Sequence, residues 1–300
     1  MVGAPKCGTT SMYQYLRQHP DIFMHPGKEP NFFADELFDK DPPLEEYLNN
    51  FRNSDGEKII GEASTWYLYS KEAAKRIKLF DPKAKILIML RNPVDMIYAL
   101  HNQLVYGGQE NIKYFRTALD AESERRLGKL MPSNYRDLSY LKPERLLYRD
   151  IGMYEEQVLR YISTFEKSQI HIVIFDDFRQ NSEAVYVEVL KFLGVDTSFR
   201  PSSFDVFNAS KTRIYQGKLI QRFRTNPILL SFTRSLIPYL IRKRLFKSLS
   251  SFYGAVNTKS QKRPPLASDL KKSLTTFFLE DIERLEKLIG RDLTIWKSLD

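Results

Sequence analysis

Cysteine is almost absent from this 300-residue chain, and that scarcity excludes one class of protein. A single cysteine, Cys7, cannot build an internal disulfide framework and fits a reducing compartment, so we expect a cytoplasmic protein. Histidine is also scarce, with four residues, and no spacing of cysteine and histidine matches a metal-binding motif. We therefore expect no metal. The amino end shows no signal peptide or spanning segment, although the printed sequence would not reveal an anchor ahead of Met1.

The balance of charge is strongly basic. The chain has 46 Lys and Arg against 37 Asp and Glu, which gives a formal net charge of +9 and a pI near 9.3. This predicts attraction to an anion, such as a nucleotide, a sulfated or uronic sugar, nucleic acid or acidic lipid, without choosing among them. A chain with 42% hydrophobic residues can bury a sizeable core, and no linker interrupts its pattern. We expect a single domain, residues 1–300.

The first residues, MVGAPKCGTTS, contain two glycines with the spacing of a phosphate-binding loop. A Walker A loop reads G-x-x-x-x-G-K-[ST], with its lysine directly after the second glycine. Here Thr9 takes that place, and the only lysine, Lys6, lies between Gly3 and Gly8. Backbone amides at the start of a following helix still favour an anion. The loop is therefore typical of a phosphate site, but not of a kinase or an NTPase.

A phosphate loop of this kind normally follows a buried strand. Only Met1 and Val2 precede the loop here. We therefore expect either a very short first strand or a chain that continues upstream of Met1, so that the first strand is truncated in the printed sequence.

Strand-like and helix-like segments alternate along the chain. The apolar runs AKILIMLRNP and QIHIVIFDDF predict strands buried in a parallel sheet, and EKIIGEAS predicts a shorter strand. Helical periodicity predicts helices at residues 11–20, 71–80, 151–165 and 182–195, with Gly194 at the end of the last, and two helical stretches within 269–293. The expected fold is α/β, with a mainly parallel central sheet flanked by helices.

Three strand exits carry the polar residues of this pattern: GAPKCGTTS, GEASTWY and RNPVDMIYALHNQ. Ligands of open parallel sheets bind beyond the carboxyl ends of the strands. If the three strands are neighbours, Lys6, Glu62 and Arg91 converge on one crevice. This predicts a nucleotide site with a candidate base.

These segments resemble a known family. GAPKCGTTSMYQYLRQHPDI, KEPNFFAD, GEASTWYLY, LRNPVDMIYALHNQ, FDDF, VLKFLGVD and GRDLTIW are similar to the sulfotransferases that use 3′-phosphoadenosine-5′-phosphosulfate (PAPS), above all to bacterial members and the heparan sulfate glucosaminyl branch. The resemblance implies a P-loop-like nucleotide-binding fold and sulfuryl transfer to a hydroxyl. It also explains the displaced lysine, since PAPS has no γ-phosphate and Lys6 can stabilise charge on the departing 5′-phosphate.

The resemblance assigns donor-binding roles residue by residue. The 5′-phosphosulfate loop comprises Lys6, Cys7, Gly8, Thr9, Thr10 and Ser11. Arg91 matches the arginine that binds the 3′-phosphate, while the serine that the family usually places eight residues later is Ala99 here, so that Arg91 acts alone or Asn102 assists it. A late basic loop, QKRPPL, points to Lys262 and Arg263 as further nucleotide-binding residues.

The resemblance also implies the residues on the acceptor side. Glu62 takes the place of the glutamate base of the glucosaminyl branch, and it would accept the proton of the acceptor hydroxyl without a metal. His25 and His101 are rival bases, because other branches use a histidine, and His101 is also a candidate acceptor-binding residue. Lys28 and Glu29 match a segment beside the acceptor pocket.

One basic segment, residues 226–249, combines apolar runs with five Lys and Arg residues. Prolines and charges interrupt it too often for it to span a bilayer. It predicts either a helix packed on the domain with a solvated basic edge or a peripheral contact with an anionic membrane.

The sequence thus predicts a PAPS-dependent sulfotransferase that acts on a hydroxyl of a carbohydrate or glycoconjugate. Its partners are the nucleotide donor and the acceptor, with no nucleic acid. Alternative acceptors are a small metabolite or a carrier-bound acyl alcohol. A nucleotide-binding module without turnover is the alternative from another class. A P-loop kinase is disfavoured by Thr9 and by the lack of an Asp-rich, metal-binding strand end.

Overall fold

The structure, a computed structural model, describes residues 1–38, 42–132, 142–205, 211–215, 258–262 and 264–298. In 211–215 and 258–262 it describes the backbone alone. The strands in this part of the chain are β1 (Ile22–Met24), β2 (Ile59–Gly61), β3 (Ile86–Leu90), β4 (Ile170–Ile174), β5 (Lys211–Tyr215) and β6 (Thr258–Lys262). β1 pairs with β2 and β3 with β4, both in parallel, whereas β5 and β6 are antiparallel.

The start of the chain joins the two parallel pairs. Residues 2–4 run parallel to β3, and the Ala4 N–H donates to the Met89 carbonyl (N···O 2.7 Å). On their other side, the Met1 nitrogen donates to the carbonyl of Glu62, directly after β2 (N···O 2.8 Å). The order is therefore β1, β2, residues 1–4, β3, β4. The predicted α/β fold with a mainly parallel sheet is confirmed, and the strand exits that carry the polar motifs are neighbours.

Helices follow most of these strands. They are α1 (Thr9–Leu16), α2 (Leu44–Asn49), α3 (Ala73–Phe80), α4 (Pro93–Tyr106), α5 (Phe115–Asp120), α6 (Glu122–Arg126), α7 (Tyr148–Gly152), α8 (Tyr154–Ile162), α9 (Phe175–Gln180), α10 (Ser182–Leu193) and α11 (Ser268–Ile289). Short 3-10 turns lie at Asp35–Leu37, Pro143–Leu146, Lys167–Gln169 and Thr294–Trp296. Gly194 has φ 77° and ends α10, as predicted.

The core lies around β3. All five residues of β3 are buried, as the apolar run predicts. β4, predicted to be equally buried, is only half-buried over its first three residues. The reason is its position, because among the described strands β3 is its only neighbour.

The predicted helix 11–20 begins and ends earlier, as α1 (Thr9–Leu16), and two further predictions were wrong in the number of helices. The predicted helix 151–165 is two helices, α7 and α8, because Met153 is extended (φ −78°, ψ 94°) and the Asp281 carboxylate caps α8, accepting from the Tyr154 N–H (N···O 2.8 Å). The two stretches expected within 269–293 are one helix, α11, which ends at Gly290 in the left-handed region (φ 65°). The charged residues in the middle of α11 do not interrupt the helix, because Asp281 is buried and caps α8.

Candidate active site

The glycine loop, residues 3–8, leads into the amino end of α1. Lys6 and Gly8 both have left-handed backbones (φ 62° and 83°), and Gly8 is the N-cap of α1. Gly8 has no side chain to bond the first amides of α1, and the first turn of α1 carries no acidic residue. The first amides of a helix have no partner within the helix, and the helix dipole adds positive potential there. The amino end of α1, where Thr9, Thr10 and Ser11 lie, therefore suits a phosphate or sulfate group.

Gly8 is required at this position by space as well as by its backbone. A Cβ atom on Gly8 would lie 3.0 Å from Phe178 Cδ1 and 3.1 Å from Phe175 Cδ2. Both rings belong to α9, which follows β4. The FDDF segment thus closes one side of the loop, which is a packing reason for its place among the motifs.

Two cations lie within electrostatic reach of one another at this edge of the sheet. Burial, followed by the nearby charge of Arg91, lowers the pKa of Lys6 below the ordinary lysine value. Arg91 follows β3, lies over the Phe175 ring (4.9 Å from guanidinium carbon to centroid) and pairs with Asp95 (Nη2···Oδ2 3.1 Å). The structure therefore brings Lys6 and Arg91 together, as an anion with two charged groups requires.

The position eight residues beyond Arg91 offers no hydroxyl. Ala99 is 2% exposed within α4. Asn102, the candidate substitute, donates its Nδ2 to the Tyr98 carbonyl (N···O 2.7 Å). Of these residues, Arg91 is the one whose charge faces the loop.

Glu62 lies at the exit of β2 and accepts three hydroxyl hydrogen bonds. Tyr67 and Tyr47 donate to its Oε1 (O···O 2.7 and 3.2 Å), and Ser64 donates to its Oε2 (O···O 2.8 Å). Burial raises the pKa of Glu62, and the bonds from Tyr67 and Ser64 oppose that rise. Its half-buried carboxylate is thus held in one orientation, with a basicity above that of an ordinary glutamate.

Lys28 and Glu29 form an ion pair between the loop and Glu62. Lys28 Nζ lies 2.9 Å from Glu29 Oε1, and the same oxygen accepts from Thr65 Oγ (3.2 Å). Both charges influence the pKa of Lys6. The predicted residues Lys6, Lys28, Glu29 and Arg91 therefore share one electrostatic environment, and Thr65 ties it to the strand exit of Glu62.

The two histidines proposed as rival bases are both buried. His25 is 4% exposed, and its Nδ1 accepts from the Gly27 N–H (N···N 3.0 Å). His101 is 1% exposed, its Nε2 bonds the Ile112 carbonyl (2.8 Å), and burial lowers its pKa. These placements favour structural roles, so that the acceptor-binding role of His101 stays a prediction without support from its surroundings.

Cys7 and the late basic loop complete the predicted donor site. Cys7 is fully buried, and burial raises its pKa to about 12, so it is a packing residue of the loop rather than a reactive thiol. Arg263 and residues 226–249 lie outside the described residues, and the side chain of Lys262 is not described. Tyr98 of α4 donates to the carbonyl of Pro264 (O···O 3.0 Å), which brings this segment beside the helix that follows Arg91.

Sequence reasoning missed the residues that hold Glu62. Tyr47 belongs to α2, fifteen residues before Glu62, and no motif marks it. Ser64 and Tyr67 lie in the quoted segment GEASTWYLY, but spacing alone does not show that their hydroxyls turn back to the carboxylate. A polar residue two or five places after a candidate base is the signal that was available.

No group of three or more His, Cys, Asp and Glu side chains in the part of the chain that the structure describes is placed to hold a metal ion. No described helix is long and apolar enough to cross a membrane. The expected metal-free reaction stays a prediction.

Comparison with known proteins gives a consistent family. The sulfotransferase domain family matches residues 1–219. A solved structure of a sulfotransferase from Alicyclobacillus acidocaldarius has a TM-score of 0.70 and 30% identity, and covers 99% of this chain and 97% of that one.

Two curated relatives show where such domains occur in longer proteins. The human bifunctional heparan sulfate N-deacetylase/N-sulfotransferase 3 is 26% identical over 99% of this chain and 30% of its own length. The rat carbohydrate sulfotransferase 15 is 26% identical over 65% of this chain and 43% of its own length. The chain thus spans less than half the length of these curated relatives.

Proposed function

This chain belongs to the sulfotransferase domain family, and on that premise we propose that it transfers the sulfuryl group of PAPS to a hydroxyl of a carbohydrate or glycoconjugate. The observation that carries the proposal is the pairing of Lys6, inside an anion-binding loop, with Arg91 at the next strand exit. A nucleotide with phosphate groups at both its 5′ and 3′ positions needs two such cationic points.

The donor site fits PAPS in the chemistry of its groups. The amides and dipole at the amino end of α1 and the Lys6 ammonium suit the 5′-phosphosulfate. Arg91 suits the 3′-phosphate because a guanidinium binds phosphate through two N–H groups. Asp95 forms an ion pair with Arg91, and the Asp95 side chain is 56% exposed. A phosphate group carries more negative charge than this carboxylate and would displace it from Arg91.

Sulfuryl transfer breaks the bond between sulfur and the bridging oxygen of the 5′-phosphate and forms one between sulfur and the acceptor oxygen. The proton of the acceptor hydroxyl passes to Glu62, and the nucleotide product is 3′-phosphoadenosine-5′-phosphate. Lys6 stabilises the charge that develops on the departing phosphate, which is worth most when water is excluded. A raised pKa suits Glu62 as a base, because basicity rises with pKa.

A carbohydrate acceptor is supported by the relatives and by charge. One curated relative is named a heparan sulfate N-deacetylase/N-sulfotransferase and another a carbohydrate sulfotransferase, and both names describe carbohydrate acceptors. A formal net charge of +9 favours an acidic glycan over a neutral one. Cytoplasmic location and peripheral membrane contact through residues 226–249 stay predictions.

The donor is tested by calorimetric titration. We expect 3′-phosphoadenosine-5′-phosphate to bind at least tenfold more tightly than 5′-AMP or ATP with Mg²⁺, and Arg91→Ala to remove that preference. Asp95→Ala is the matched control, because it frees Arg91 and should keep or strengthen binding. Equal affinity for ATP would refute the PAPS assignment.

The acceptor is tested with labelled PAPS and a panel of glycosaminoglycan oligosaccharides, phenols, alcohols and lipids. We expect label in the oligosaccharides, at hydroxyls rather than at free glucosamine amines. Label in a small alcohol alone would support the metabolite alternative. Tight nucleotide binding without any transfer would support the non-catalytic module.

A further inference from the structure

The hydroxyl protons around Glu62 have fixed directions. Ser64 Oγ accepts from the Asn31 N–H (N···O 3.0 Å), and Tyr67 Oη accepts from the Phe33 N–H (N···O 3.2 Å). A hydroxyl carries one proton, so an oxygen that already accepts directs that proton to its other partner. For both hydroxyls that partner is the Glu62 carboxylate.

The turn that supplies these two N–H groups is itself held in place. Asn31 has a left-handed backbone (φ 56°), and its Nδ2 donates to the Glu29 carbonyl (N···O 2.9 Å). The Glu29 N–H donates to the Ala63 carbonyl (N···O 3.0 Å), next to Glu62. The turn that bears Lys28 and Glu29 is therefore anchored to the strand exit that bears the base.

We propose that Ser64 and Tyr67 are positioning residues for Glu62, each orienting one carboxylate oxygen because a backbone N–H of the 31–33 turn directs its hydroxyl proton. We call the two hydrogen bonds from Ser64 and Tyr67 to Glu62 the clamp. The role of Glu62 as a base rests on the proposed function, whereas the clamp does not. Through the clamp, the turn beside the acceptor site controls the orientation and the basicity of the base. Ser64 donates to Oε2, whereas Oε1 accepts from both Tyr67 and Tyr47, so Oε2 keeps more of its capacity to accept the proton of an acceptor hydroxyl.

Other charged or titratable groups around Glu62 come from several elements. Burial raises the pKa of Glu62 first, and the bonds from Tyr67, then Ser64, the amino group of Met1 and lastly Tyr47 lower it. Three further groups lie nearby. Tyr161 donates to the Tyr67 carbonyl and its pKa is raised by burial and in part by the Glu62 charge, Lys28 acts on the Met1 amino group, and the His25 ring stacks on Tyr47. Removing the Tyr67 or Ser64 hydroxyl should therefore raise the pKa of Glu62, while the other groups remain.

The test is a pH titration of the Glu62 carboxyl by carbon NMR in the full chain, with the signal assigned from Glu62→Gln. A hydrogen bond to a charged group corresponds to a shift of about one pH unit or more. We expect Tyr67→Phe and Ser64→Ala each to raise the Glu62 titration point by that amount, and Tyr47→Phe, which removes the longer bond, to raise it less.

Tyr13→Phe is the matched control, because the buried Tyr13 hydroxyl donates to the His25 carbonyl (O···O 2.7 Å) and not to Glu62. An unchanged Glu62 titration in both Tyr67→Phe and Ser64→Ala, or an equal shift in Tyr13→Phe, would overturn the proposal. Because Tyr67→Phe and Ser64→Ala are tested separately, failure of one to fold leaves the other to decide.

A second readout is the pH dependence of sulfuryl transfer. The base must be ionised, so the rising limb of the rate should move to higher pH in Tyr67→Phe and Ser64→Ala, in step with the NMR titration. A wild-type chain without any transfer would refute the proposed function but not the clamp. A shifted titration with an unmoved rate limb would refute the role of the clamp in catalysis.

Discussion

Replacement of Glu62 by glutamine should separate activity from stability. Glu62→Gln keeps the shape of the side chain and an oxygen that can accept from Tyr67 and Tyr47, but removes its basicity. Since a general base contributes about 10²–10⁴-fold, turnover should fall by that factor. Binding of 3′-phosphoadenosine-5′-phosphate should be almost unchanged, because Lys6 and Arg91 are intact.

The fold should not weaken in the same variant at alkaline pH. Burial raises the pKa of Glu62 above its value in the unfolded chain. Its stabilising contribution is therefore complete below the unfolded pKa and is lost as the pH rises through the folded pKa. Above the folded pKa the buried carboxylate is ionised, which is its less favourable form in the fold, so Glu62→Gln should unfold there at a temperature no lower than the wild type does.

Glu110→Gln is the control with the opposite expectation. Glu110 and Arg125 form a two-bond ion pair (N···O 2.7 and 2.8 Å) with both side chains 0% exposed, and Tyr148 donates to the same carboxylate. Burial acts to raise the pKa of Glu110, but the Arg125 bonds and the other donors outweigh it, and the pKa lies below the ordinary value. Its stabilising contribution is present above the unfolded pKa and is lost as the pH falls through the folded one.

Breaking a buried ion pair costs about 3–5 kcal/mol, so Glu110→Gln should lose that much stability in urea unfolding at pH 8. Its turnover per folded molecule should stay within a few-fold of the wild type. The measurements are urea unfolding, thermal unfolding at pH 8 and initial rates of transfer. A strongly destabilised Glu62→Gln with normal turnover would refute the assignment of Glu62 as the base. A Glu110→Gln variant that is as stable as the wild type but has no turnover would refute it as well.

Three further predictions concern the loop. Lys6→Ala should lower turnover by about 10²-fold or more with folding intact. Lys6→Arg should not keep full turnover, because the planar guanidinium replaces a compact ammonium group. Normal turnover in Lys6→Ala would mean that another residue stabilises the departing phosphate. Because burial and Arg91 lower the pKa of Lys6 from 10.5, the alkaline limb of the rate should lie below that pH, and a limb at or above it would contradict the placement of Lys6. Gly56 has φ 84° and open space around it, so Gly56→Ala should lower the free energy of unfolding in urea by about 1 kcal/mol. In Gly8→Ala the new methyl group also meets the Phe175 and Phe178 rings, so this variant should lose more stability and bind the nucleotide more weakly. Equal losses of stability would contradict the packing of Gly8 against these rings.

The features that the sequence predicted well have dense local signals. The apolar run of β3 and the glycine after α10 each determine structure within a few residues, and both predictions are confirmed. The order of the strands confirms that the exits bearing Lys6, Glu62 and Arg91 are neighbours. The convergence of the three side chains on one nucleotide site, expected from a general rule for parallel sheets, stays a prediction. The resemblance to sulfotransferases is confirmed by the family match over residues 1–219.

The features that the sequence did not predict depend on distant contacts. β1 has three residues, which is too short for a periodic pattern. The start of α8 depends on Asp281, which is 127 positions away along the chain from Tyr154. The clamp on Glu62 depends on a left-handed Asn31 that no spacing rule marks. In each case the deciding contact forms only when remote segments pack together.

The most direct test of the account is the transfer of label from PAPS to acidic glycosaminoglycan oligosaccharides by the wild-type chain, run beside Lys6→Ala and Glu62→Gln. The account predicts labelled oligosaccharide and stoichiometric 3′-phosphoadenosine-5′-phosphate with the wild type, and rates lower by about 10²-fold or more with either variant. Transfer that is equally fast in both variants, or binding of the nucleotide without transfer to any oligosaccharide, would contradict it.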